Sequence, residues 1–208
     1  MMPLPLILEQ KNEIYKNKIH ENITLCEKYR DKMDLKIEEQ FINSQSINEV
    51  IIKLKSIQST LPKLANIQTN MFLSSLSLFN NVFNADEEEK QKKEFMQLNI
   101  EATTLLESFY YTAFRINVIF RESIKPKKSF DAIGIRNIRN LLIEHPEVLT
   151  SSLGAIESPN GFIMKNVRTI NFVVRKVKEE DVYQDKGLYI NVEEFLNKLH
   201  PILIEISK

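Results

Sequence analysis

Apolar residues recur through the first thirty positions at spacings near three, four and seven: Ile7, Ile14, Ile19, Ile23 and Cys26, with charges between them. That period lays one stripe along a helix and predicts a long helix from Leu4 to about Met33. Residues 34–60 carry a weaker helical pattern, expected to break near Ser44–Ser46, where Ser46 and Glu49 have the spacing of a capping box. Pro62 suits the first turn of a further helix reaching about Asn84, because a backbone N–H has no helical partner there. The run "NADEEEKQKK" places acids before bases, as a helix start prefers, and marks Asp86–Glu89 as an exposed junction.

The longest helix is expected over about Glu87–Ser123. Leu98, Ala102, Leu105, Phe109, Ala113, Ile116 and Phe120 step by four and three, and Leu106, Tyr110 and Phe114 widen the stripe. A stripe so wide belongs in the middle of a bundle, contacted from two sides, and Tyr110 and Tyr111 are read as part of that core. "KPKKS" (Lys125–Ser129) is a turn, after which Ser129 or Asp131 can cap a helix over roughly 131–145. Pro146 disfavours helical geometry at His145 and ends it. Residues 150–160, "TSSLGAIESPN", form a loop by composition.

After Gly161 the pattern changes. "FIMKNV", "TINFVVRKVK" and "GLYI" are β-branched and partly alternating, which predicts a small two- or three-stranded element. Val192–Ile206 then closes the chain as an amphipathic helix. The expected fold class is therefore mainly α. An antiparallel helical bundle occupies residues 1–148, and a β-like appendage with a C-terminal helix occupies 160–208, within one domain.

Composition supports that reading and removes several function classes. The chain has 208 residues with only four glycines and seven prolines, which favours long helices over a turn-rich β protein. Basic and acidic residues number 28 each, so no global charge pulls the protein toward nucleic acid or an anionic membrane; such a partner needs a local patch. A single cysteine, Cys26, excludes an intramolecular disulfide and a cysteine-based zinc site. Cys26 is expected in the core, in a reducing, cytoplasmic setting. The opening "MMPLPLILEQKNEIYK" lacks the basic flank and small-residue site of a secretory signal, and no apolar run is long enough to span a membrane. Phosphate-binding glycine loops, H-E-x-x-H and G-x-S-x-G are absent, and neither His20 nor His200 has the Glu-x-x-His spacing of di-iron bundles. The run "KNVRTINFVVRKVK" (Lys165–Lys178) is basic beside Phe172; it reads either as a surface for single-stranded nucleic acid or as a charged edge strand.

Candidate chemistry gathers in "IRNIRNLLIEHPE" (Ile135–Glu147). Ile135, Ile138, Leu141 and Leu142 share one face, which is core packing. Arg136 and Asn140, four apart, neighbour one another on another side. Arg139 and His145 are six apart, about 9 Å along the axis, within reach of one phosphate-sized ligand. Arginine offers a forked, permanently charged donor for phosphate oxygens, and histidine a proton that moves near neutral pH. Asparagine can orient either through its donor and its acceptor. Such a trio can cleave RNA without metal: the imidazole takes a proton from a ribose 2′-hydroxyl, and the guanidinium stabilises charge building on phosphorus. The other reading of the same residues is a solvated face, with His145 bonding the last helix carbonyls. Glu144 beside His145 can keep the ring charged, which favours phosphate binding over base catalysis.

"RNLLIEH", Arg139 to His145, resembles the R-N-x-x-x-x-H signature of the HEPN superfamily, all-helical bundles with the motif near the end of a late helix. The resemblance rests on those seven residues and on the long helices before them. It implies a metal-independent endoribonuclease of toxin or antiphage-defence type, without cofactor, whose cleft forms where two copies meet in a homodimer. Arg139 would then bind the scissile phosphate, Asn140 would orient and His145 would act as acid and base. Arg136, Lys127 and Lys128 would add substrate contacts, and an antitoxin or nucleotidyltransferase would be the partner. Two further readings stand beside it: a catalytically inactive HEPN-like module that holds a nucleotide or protein, and an unrelated helical scaffold.

Overall fold

The computed structural model describes residues 4–80, 85–127 and 188–208, together with Ile135 and the short segments 149–152, 157–158, 161–162 and 171–174. Most of these residues are helical. Helix α1 spans Leu4–Arg30, α2 Glu38–Asn80, α3 Ala85–Ile119 and α4 Leu188–Ile206, and α3 runs on into a π-helical turn at Phe120–Ile124.

Each helix buries one stripe in a shared core. In α1 the buried positions are Leu8, Tyr15, Ile19, Ile23 and Cys26, while Ile14, expected among them, is exposed. Ile14 falls one position before Tyr15, and Tyr15 keeps the seven-then-four step from Leu8 to Ile19. In α3 the expected stripe holds: Ala102, Phe109, Ala113, Ile116 and Phe120 are buried, and Leu98 and Leu105 pack against them partly buried. Leu106 and Tyr110 are also buried, and the rings of Phe109 and Tyr110 meet edge to face with centroids 5.0 Å apart. Val192, Phe195, Leu196, Leu199, Ile202 and Leu203 of α4 complete the core.

Helix α2 departs most from the sequence expectation. It is continuous from Glu38, through Ser44–Ser46 and past Pro62, to Asn80. Its start is set earlier than Ser46, after an α1–α2 turn in which two hydrogen bonds meet at Asp34. The Asp34 carboxylate accepts from the Lys36 N–H at 3.0 Å, and the Gln40 side chain accepts from the Asp34 N–H at 2.6 Å. Glu49, the expected partner of Ser46, is instead held by Arg115 of α3. Pro62 points to solvent, so the Gln58 carbonyl that loses its N–H partner is not stranded in the core. Burial of Leu61, Leu64 and Ala65 around it keeps the helix intact.

Side-chain bonds fix the helix directions. Arg30 reaches Asn48 at 3.0 Å and Gln58 reaches the Lys16 carbonyl at 3.2 Å, so α1 and α2 are antiparallel. The Glu49–Arg115 pair, and a groove that brings Asn70 beside Glu94, make α2 and α3 antiparallel as well. Lys18–Asn197, Asn22–His200 and Lys32–Ser207 climb together, so α4 runs parallel to α1. Hence α3 and α4 run the same way. Ile124 and the start of α4 therefore lie at opposite ends of the bundle. The helix expected over 131–145 (Ile135 apart), most of the loop at 150–160 and most of residues 163–187 lie outside the described residues.

Candidate functional site

The approach to the R-N-x-x-x-x-H segment is built by the end of α3. Phe120 and Ile124 are buried, while Arg121 and Glu122 pair with each other at 2.8 Å in solvent. Phe120 and Ile124, four positions apart, share the inward face, and π-turns of this kind recur at functional sites. The Lys125 N–H closes the turn on the Phe120 carbonyl at 2.8 Å. Lys125 is left-handed, with φ 46° and ψ 59°, immediately before Pro126. A side chain with a Cβ is disfavoured there, and so is helical geometry before proline. The strained turn ends α3 and presents Lys125 and Lys127, both exposed, as a basic corner.

Of the residues expected to form the site, Lys127 stands exposed on this corner. Ile135 is helical and buried in the core, as its apolar face requires. Arg136, Arg139, Asn140, His145 and Lys128 lie outside the described residues. The other histidines sit elsewhere. His20 is exposed on α1, and His200 of α4 meets Asn22 through Nδ1 at 2.7 Å. Tyr110 is core, as expected, but Tyr111 is largely exposed, one helical position past the buried face.

Burial and one ion pair shift several ionisable groups among the described residues. Burial pushes the Cys26 thiol up to about 12, which makes it a poor nucleophile. Burial, with Glu193 adding repulsion, likewise raises the Tyr15 phenol to about 12. The Arg115 hydrogen bond holds the Glu49 carboxyl below the ordinary carboxylate range. No group of three His, Cys, Asp or Glu among the described residues gathers to hold a metal ion, and none of the described helices is long and apolar enough to cross a membrane.

Two features have no signal in the sequence. A groove of about 450 Å³ is lined by Asn70, Leu73, Ser74, Glu94, Gln97 and Leu98. It is open to solvent and Glu94 is its one charged group. Elsewhere on α2, the Gln68 amide is fully buried with neither its nitrogen nor its oxygen hydrogen-bonded. Only side-chain packing between helices distant in sequence could have revealed either.

Comparison of the chain with protein-family models, curated proteins and solved structures finds no match.

Proposed function

We propose that the chain is a HEPN-like, metal-independent endoribonuclease of toxin or antiphage-defence type that works as a homodimer on RNA. The observation that carries the reading is the Arg139–Asn140 pair spaced five residues before His145, on a segment whose residue Ile135 is helical and buried in the core. A helix anchored by Ile135 turns about 100° per residue. It therefore sets Arg139 about 40° to one side of Ile135 and His145 about 80° to the other, with Asn140 about 140° away. Arg139 would then border the face shared by Ile135, Ile138, Leu141 and Leu142 and His145 would fall within its arc, where water is partly excluded and a guanidinium acts on phosphate more strongly than in bulk solvent.

In the proposed reaction His145 accepts the proton of a ribose 2′-hydroxyl. The 2′-oxygen attacks phosphorus, and Arg139 stabilises the charge on the non-bridging oxygens. The P–O5′ bond breaks, and the second subunit's motif returns a proton to the leaving 5′-oxygen. The products are a 2′,3′-cyclic phosphate and a 5′-hydroxyl. Asn140 orients the reacting groups, and Arg136, Lys127 and Lys128 hold flanking phosphates. Lys127 is exposed on the corner that leads into the segment, where such a contact needs it. The opposed positions of Ile124 and the start of α4 support a returning helix between α3 and α4 that carries the motif. The antiparallel pairing of Leu149–Ser152 with Asn171–Val174 supports the small β element, as an appendage to a HEPN-like bundle. A toxin of this type would act in the cytoplasm and be restrained by an antitoxin or a nucleotidyltransferase.

The test is incubation of purified protein with tRNA and mRNA in EDTA, with His145→Ala in parallel. Cleavage by wild type alone, leaving cyclic phosphate ends, is the expected result. Wild-type protein that cleaves neither RNA would overturn catalysis and leave a nucleotide- or protein-binding module.

A further inference from the structure

Where α1 turns into α2, four large apolar side chains stand in solvent within eight positions. Leu35 is 59 %, Ile37 47 %, Phe41 45 % and Ile42 48 % exposed. Together they offer on the order of 350 Å² of apolar surface, the size of a patch that is often functional. Exposed Ile14 and Ile52, by contrast, are single positions on otherwise polar helix faces. The corner is also well held. The Ile37 N–H bonds the Asp34 carbonyl at 3.0 Å and the Phe41 N–H bonds the Ile37 carbonyl at 2.9 Å. Lys32 clamps the last carbonyls of the chain, Ser207 at 2.6 Å and Lys208 at 2.8 Å, which keeps the C-terminus beside the turn. A surface fixed in advance loses little entropy when it is covered.

The patch lies at the same end of the bundle as the π-turn. Glu49 and Arg115 are level across α2 and α3, so two turns on Ile42 is level with Glu122, and the π-turn packs on α2. We infer that Leu35, Ile37, Phe41 and Ile42 form the two-fold contact that joins two copies of this chain. The inference deepens the dimeric reading above and rests on it for its functional meaning: it places the contact beside the turn that leads into the 131–145 segment.

Area and charge select the occupant. A standard interface buries about 800 Å² per partner, a little over half of it apolar. The patch supplies most of that apolar share. Its surroundings carry both signs, with Asp34, Glu38 and Glu39 against Lys36 and Lys125, all exposed. A surface that faces a copy of itself needs both, because each acid must find a base on the partner. An anionic membrane would be repelled by Glu38 and Glu39 in the first turn of α2. The net charge of zero removes long-range repulsion between copies.

Sedimentation equilibrium on the full chain tests this. Wild type should sediment at twice its 24.4 kDa mass at micromolar concentration. The variant Phe41→Lys/Ile42→Ser, with the same helical circular dichroism, should dissociate at least about 30-fold more readily. Cys26 is buried and is the only cysteine, so Ile37→Cys introduces one accessible thiol. It should give a disulfide-linked dimer under mild oxidation, while Lys55→Cys on the far part of α2 should not. A monomeric wild type, a dimer indifferent to Phe41→Lys/Ile42→Ser, or equal cross-linking through Lys55→Cys overturns the inference. Binding of the patch to anionic vesicles or to another protein, without self-association, overturns it too. The nuclease reading is scored separately. A dimer through this face that cleaves no RNA keeps the contact and loses the enzyme; a monomer that cleaves RNA through His145 does the reverse.

Discussion

Asn191 of α4 donates a 2.7 Å hydrogen bond to the phenolic oxygen of Tyr110 in α3, with both residues buried. The two lie 81 positions apart, so this bond ties the last helix to the central one. Tyr110→Phe removes the acceptor and leaves a buried amide short of a partner, at a cost of about 1–3 kcal/mol. For a chain of this length, thermal unfolding should drop by roughly 2–4 °C per kcal/mol. Tyr110→Phe/Asn191→Leu should recover part of the loss, because the donor and the acceptor of this bond are then removed together. A double variant as unstable as the sum of the singles would sink the account.

The same bond shows where sequence reading stops. The stripe from Leu98 to Phe120 was legible because its period is local and unbroken, and α3 follows it closely. Helix α2 departs from its local pattern because Ser46 and Pro62 are helix-start signals, outvoted by burial of Ile47, Val50, Leu54, Leu61 and Leu64 against other helices. Tyr110–Asn191 and Asn22–His200 join positions far apart in the chain, and no spacing rule points from one to the other. Of the candidate site, only the inward face was legible in a way the structure meets, at Ile135. The polar trio was found by motif spacing alone.

Pro62 should therefore be a costly residue in its own helix. It lies inside α2 on the solvent side, so replacing it disturbs no core contact. Pro62→Ala restores an N–H for the Gln58 carbonyl and relieves the ring's clash with the preceding turn. A gain of about 1–3 kcal/mol is expected, read as a higher urea midpoint. Unchanged or lowered stability would mean that α2 needs a bend at this point.

Lys125 carries strain of a different origin. Its left-handed backbone disfavours a Cβ, and a β-branched side chain most of all. Lys125→Gly should leave stability unchanged or raise it by up to about 1 kcal/mol, whereas Lys125→Val should lower it by about 1–2 kcal/mol. Denaturant titration of the three proteins orders them directly.

The Glu49–Arg115 pair sets a pH dependence of definite sign. The Arg115 hydrogen bond lowers the Glu49 pKa in the folded state. The contribution is therefore present above the unfolded carboxylate pKa and is lost as pH falls through the folded value. Both side chains are more than a third exposed, at 37 % for Glu49 and 51 % for Arg115, so screening limits the contribution to less than about 1 kcal/mol. The stability difference between wild type and Glu49→Gln should be small at pH 7, shrink in high salt and disappear in acid. A difference that grows as pH falls would contradict this assignment.

The proposed roles of Arg139 and Lys127 separate in kinetics. A guanidinium that meets charge only as phosphorus becomes five-coordinate should affect kcat. Arg139→Lys keeps the charge but loses the fork, and Arg139→Ala loses both. Arg139→Ala should lower kcat by roughly 100- to 1,000-fold with little change in KM, and Arg139→Lys should recover only a small part. Lys127, exposed on the corner after the π-turn, would touch a flanking phosphate equally in ground and transition states. Lys127→Ala should raise KM with kcat unchanged and reduce the salt dependence of binding by about one phosphate contact. If Lys127→Ala lowered kcat as Arg139→Ala does, the corner would belong to the reacting centre and the division between holding and catalysis would have to be redrawn.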